Sequence, residues 1–65
     1  MGFAENLKYL RKINKIDQSK LANIVNVSAK TISHWETGYT EPSIAQLIML
    51  ANYFEITIDE LVDRK

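Results

Sequence analysis

The chain has no cysteine, one proline, two glycines and one histidine among its 65 residues. Without cysteine there is no disulfide to staple a small fold, and thiolate metal sites are excluded. His34 is the sole imidazole, and no His, Cys and carboxylate set stands at metal-ligand spacing. Gly2 and Gly38 lie too far apart to form a phosphate-cradling loop. No apolar run approaches the roughly 18 residues of a membrane-spanning helix. Met1 is not followed by a basic and then apolar leader, so no signal peptide is expected and the expected compartment is the cytoplasm. Neither sign of charge is in excess: eight basic residues face eight acidic ones.

What is present is a globular composition, 46% hydrophobic and 25% charged. The length fits one domain, residues 1–65. A chain this short buries only about 60% of its unfolded surface, so its core must come from close packing or from dimerisation. The charges are also unevenly placed. Residues 1–35 carry six basic and two acidic side chains, net +4, whereas residues 36–65 carry two basic and six acidic, net −4. Such a dipole offers a basic face to an anionic partner; a chance arrangement of solvated charges is the alternative.

Five short helices can be read, giving an all-α class. Phe3, Leu7, Leu10 and Ile13 recur at helical spacing, and Asn14 and Lys15 end that segment. Asp17 is an N-cap for a second helix with the stripe Leu21, Ala22 and Val25, where the small Ala22 permits close helix approach. Asn26, which tolerates a left-handed backbone, turns the chain. Ser28 caps a third helix at about residues 28–36 with Ile32 and Trp35 inward, and Gly38 suits its left-handed end. Ser43 caps a fourth helix whose Ile44, Leu47, Ile48, Leu50, Ala51 and Phe54 are expected in the core. Thr57 to Glu60 form a capping box opening a fifth, with Ile56 as its hydrophobic staple.

Catalysis is not expected. A compact all-α chain of this size leaves little room for a pocket of several hundred Å³. The carboxylates Asp59, Glu60 and Asp63 favour a helix N-terminus and read as solvated surface. No cofactor, metal or small-molecule substrate is expected. The informative segment is Asp17 to Gly38, a helix, a sharp turn and a second short helix. Its apolar positions pack inward, while Ser28, Lys30, Ser33 and His34 leave hydrogen-bonding groups outward. A helix of this kind can enter the DNA major groove and present side chains to base edges.

Asp17-Gln18-Ser19-Lys20-Leu21-Ala22, Val27-Ser28, Thr31 through Gly38, and Pro42-Ser43 together resemble the Xre family. This is the helix-turn-helix group that includes the phage Cro and lambda-type repressors. The resemblance continues through Leu47, Leu50, Ala51, Ile56 and Leu61 and covers about residues 5–62. It implies a compact five-helix lambda-repressor-like domain that binds double-stranded DNA as a homodimer, on a pseudo-palindromic operator. Gln18 matches a glutamine that contacts a phosphate and braces the recognition helix. Ser28, Ala29, Lys30, Ser33 and His34 match groove-facing positions. Lys30 can donate to guanine O6 and N7 or bind a phosphate. His34 can reach a base or a phosphate, or be merely exposed. Ala29 offers only apolar contact where relatives carry glutamine or arginine. Tyr39 and Thr40 match a loop that touches the DNA backbone, with packing as the alternative for Tyr39.

Arg11 and Glu36 resemble the family's structural ion pair. Trp35 reads as core rather than as a stacking platform, given its spacing from Ile32. Asn26 stands where the family commonly has glycine. The expected dimer surface is the outer edge of the fourth helix with the fifth, namely Met49, Tyr53, Ile58 and Val62. The expected mechanism is operator occupancy, repression being preferred to activation. The alternative is a protein-interaction or antitoxin-like module that keeps the fold without operator binding; the polar outer face of the third helix favours DNA.

Overall fold

The computed structural model describes residues 2–62. Asp63, Arg64 and Lys65, which entered the charge reading above, lie outside the described residues. Among the described residues all regular structure is helical: α1 (Phe3–Ile13), α2 (Gln18–Ile24), α3 (Ala29–Thr37), α4 (Ile44–Phe54) and α5 (Ile58–Val62). Each boundary expected from a capping residue is found. The Asp17 carboxylate accepts from the Lys20 N–H, the Ser28 hydroxyl from the Thr31 N–H, and the Ser43 hydroxyl from the Gln46 N–H. Gln46 reaches back to the Ser43 N–H, which completes a capping box there as well. The Thr57–Glu60 box forms in both directions, at 2.9 and 3.0 Å.

The helix ends share one device. Lys15, Asn26, Gly38 and Glu55 all have positive φ, and the next residue's N–H reaches back across the turn. These bonds run from Ile16 to Arg11 O, Val27 to Ala22 O, Tyr39 to His34 O, and Ile56 to Ala51 O. Each satisfies a carbonyl that a helix C-terminus otherwise leaves unpaired.

The core is Leu7, Ile16, Leu21, Ala22, Val25, Ile32, Trp35, Leu50, Ala51 and Leu61. Phe3, Leu10, Ile24, Val27, Leu47, Phe54 and Ile56 pack against it half-buried. Ala22 is buried in α2, which packs against α3. Trp35 is only 2% exposed, so its ring is core and not a stacking platform. The Asn6 amide donates to the Leu61 carbonyl at 3.1 Å and ties α1 to the end of α5.

Three expectations about the core need correction. Ile13 is 55% exposed, Ile44 is 74% exposed and Ile48 is 44% exposed. Ile13 is in the last turn of α1, beyond the reach of the other helices. In α4 the Leu47–Leu50–Ala51–Phe54 stripe faces the core; Ile48 lies off that stripe, and Ile44, in line with Leu47 and Ala51, stays exposed in the first turn. With Gln46 and Asn52 as its only amide side chains, the α4 sequence marks its outer side weakly, and neither Ile44 nor Ile48 signals its own exposure.

Candidate nucleic-acid interface

The third helix is held in place by a partly buried polar knot. Arg11 of α1 makes a two-pronged contact with Glu36 of α3, Nε to Oε2 at 2.6 Å and Nη2 to Oε1 at 3.1 Å. Arg11 Nη1 also donates to the Ile16 carbonyl, fixing the α1–α2 loop. The Glu36 side chain is 3% exposed and that of Arg11 13%. The bond to Glu36 holds the Arg11 guanidinium above its ordinary value against the opposing cost of burial. Gln18 completes the knot, its Nε2 donating to Glu36 Oε1 at 3.1 Å. An amide nitrogen carries two N–H groups. One is used on Glu36, and the other makes no hydrogen bond among the described residues.

With Ile32 and Trp35 turned inward, helical geometry turns Lys30, Ser33, His34 and Thr37 outward. Lys30 is exposed; Ser33 and His34 are half-buried. Ala29 is half-buried at the flank of this face. The Ser28 hydroxyl is engaged twice, accepting from the Thr31 N–H and lying 3.0 Å from the Thr31 hydroxyl. Gly38 then ends the helix at φ +80°, and no atom lies within 4 Å of where a Cβ would stand. Its demand is therefore conformational rather than steric. Tyr39 and Thr40 follow, both exposed. The Tyr39 ring returns over α3 to meet the His34 ring, with centroids 4.8 Å apart and planes at 60°. Spacing gave no sign of this pairing, because it depends on the turn at Gly38.

The charges divide as the sequence does. Lys8, Lys12, Lys15, Lys20 and Lys30 are all exposed, as are Glu41, Glu55, Asp59 and Glu60. The knot cancels Arg11 against Glu36, so the excess in residues 1–35 falls from +4 to +3 with the exposed lysines intact.

Away from α3, helix α4 contains no charged residue, and Ile44, Ile48, Met49 and Tyr53 remain exposed on it. Ile58 is 37% exposed at the start of α5, and Val62 is half-buried. An open groove of about 480 Å³ runs between the start of α1 and the α3–α4 loop. It is larger than the chain length suggested. Glu41 is the one titratable group among the residues that line it.

Residues 7–61 match the helix-turn-helix family. The chain belongs to that family, in its Xre, lambda-repressor-like branch. Within the family it is 39% identical to the HTH-type transcriptional activator BcrR of Enterococcus faecalis over 62 residues, 95% of this chain and 30% of BcrR. It superposes on the P22 c2 repressor solved with a synthetic operator at a TM-score of 0.92 and 32% identity, covering 100% of this chain and 98% of that one. The chain spans roughly half the length, 52–57%, of three other curated helix-turn-helix regulators that it matches. The fold is not confined to regulators. Hydroxypropylphosphonic acid epoxidase from S. wedmorenis matches 94% of this chain at a TM-score of 0.85 and 34% identity, with this chain covering 33% of the enzyme.

Proposed function

We propose that this protein is a sequence-specific DNA-binding transcriptional regulator, acting as a homodimeric repressor on a pseudo-palindromic operator. The observation that carries the reading is the outer face of α3. A capped, nine-residue helix, braced from behind by Arg11, Glu36 and Gln18, presents Lys30, Ser33 and His34 with no acidic residue among them. The likeness to an operator-bound repressor over the whole chain supports the same use of the helix. In this role Lys30 and His34 face base edges, with Ser33 beside them, and Ala29 makes apolar contact at the flank. Gln18, through its second amide N–H, and Ser28, Tyr39 and Thr40 serve the phosphates. Phosphate contacts set register, and base contacts set sequence preference.

Dimerisation follows from the other side of the molecule. Half-sites lie one turn apart, about 34 Å. Cα extents of 28 × 24 × 22 Å bring two such copies close enough for side chains to meet. Met49, Tyr53, Ile58 and Val62 form the meeting surface, extended by the exposed Ile44 and Ile48. Exposed apolar side chains grouped on one helix face mark an association surface. Repression is by occupancy, and the cytoplasm is the compartment that belongs to this reading. None of the lysines or polar groups on α3 has a catalytic role in this reading.

The deciding experiment is selection of bound duplexes from a random pool, followed by titration at two salt concentrations. A pseudo-palindrome with half-sites about 10 base pairs apart is expected, with affinity falling as salt rises. Lys30→Ala should relax preference at one position and cost about 1–3 kcal/mol. Gln18→Ala should weaken all duplexes alike. No enrichment at any salt would favour the interaction-module alternative.

A further inference from the structure

Resting on the operator-binding reading, we infer that Tyr39 is a positioning residue that sets the base preference of His34. The four helix ends supply the first argument. After Lys15, Asn26, Gly38 and Glu55 the chain turns back, and the next side chain is thrown over the last turn of its own helix. At three of these ends that side chain is aliphatic and packs into or against the core: Ile16, Val27 and Ile56. At the end of α3 it is Tyr39, which is 76% exposed. Its ring does not enter the core but lies against His34, 4.8 Å between centroids.

The ring contact is anchored by the backbone of the turn. The Tyr39 N–H donates to the His34 carbonyl at 2.9 Å, and the Gly38 N–H to the Trp35 carbonyl at 3.3 Å. The Thr37 hydroxyl donates to the same His34 carbonyl at 3.2 Å. Both rings thus hang from the two ends of one backbone hydrogen bond, and their contact is local to the turn. A histidine on the outer face of a helix otherwise samples two χ1 wells, because the third clashes with the preceding turn. The Tyr39 ring packed against it favours one of these, so the imidazole meets a base edge in one orientation. Tyr39 then acts twice, with its hydroxyl on the backbone of the DNA and with its ring on His34.

The two actions separate in Tyr39→Phe and Tyr39→Ala. The selected operator is titrated against all single base-pair changes in one half-site. His34→Ala should flatten preference at one base pair, removing about tenfold discrimination. Tyr39→Ala should flatten the same position. Tyr39→Phe should keep the preference while binding every duplex more weakly, and the His34→Ala/Tyr39→Ala double variant should flatten it no further than His34→Ala. The proposal is overturned if Tyr39→Ala weakens all duplexes by one factor with the profile intact, or if Tyr39→Phe flattens the profile as Tyr39→Ala does. Failure of the unaltered chain to enrich any duplex overturns the operator reading itself. NMR of the free protein gives a readout without DNA. The His34 ring protons should carry a ring-current shift in the unaltered chain and in Tyr39→Phe and lose it in Tyr39→Ala; a shift unchanged by Tyr39→Ala also overturns the proposal.

Discussion

Arg11 and Glu36 are the residues on which the placement of α3 depends. Glu36 accepts three hydrogen bonds in a nearly closed environment, two from Arg11 and one from Gln18. A buried ion pair is costly to break from one side because the remaining charge stays desolvated. Arg11→Ala is therefore expected to destabilise the fold by about 3–5 kcal/mol, read as a lowered midpoint in urea unfolding. Replacing both partners by apolar residues of similar volume, Arg11→Met with Glu36→Leu, should recover most of that loss, since no charge is then stranded. That double variant separates stability from placement: it should fold, yet bind DNA more weakly, because Gln18 loses the partner that orients it.

At the level of the helices, the beginnings and the ends obey different chemistry. Four of the five beginnings are side-chain chemistry, announced by Asp17, Ser28, Ser43 and Thr57, whereas α1 starts after Gly2 with no side-chain cap. The ends are backbone chemistry. Asn26 and Gly38 suit the left-handed conformation, but Lys15 and Glu55 adopt it too, and neither residue type signals it. A side chain there costs about 1–2 kcal/mol, which the aliphatic residue that follows offsets by packing into or against the core. At Gly38 no such burial follows, because Tyr39 stays outside. Gly38→Ala should thus cost about 1 kcal/mol with no steric clash to relieve, seen as a fall in the thermal midpoint. Asn26→Gly should do the reverse and raise it modestly.

For the molecule as a whole, the uncharged helix α4 has two apolar sides and one core to face. Leu50 and Ala51 are buried, and Ile44, Ile48, Met49 and Tyr53 are left outside. In the dimeric reading these exposed residues are covered by a second copy. Ile48→Glu with Tyr53→Glu should leave each monomer folded, because both side chains already meet solvent. The pair should shift sedimentation from dimer to monomer and reduce operator affinity to that of a half-site. A dimer persisting in that variant would move the interface elsewhere, to the exposed Tyr9 and Ile13 of α1.

Local chemistry in the sequence determined the five helices, their caps, the inward Ile32 and Trp35, and the polar outer face of α3. Each of these is encoded within about four residues, by periodicity or by a side chain bonding a nearby backbone group. The Arg11–Glu36 contact, 25 positions apart, was legible only through the family resemblance. Only the tertiary structure decided which apolar residues of α4 are core, because a helix with only Gln46 and Asn52 to mark its outer side has a weak preference until its neighbours are placed. It also decided that Ile16 is buried, since a loop residue has no period to betray it, and that Tyr39 returns to His34. Those three outcomes depend on where separate segments meet, and that is determined by packing and by backbone turns rather than by the residues' own preferences.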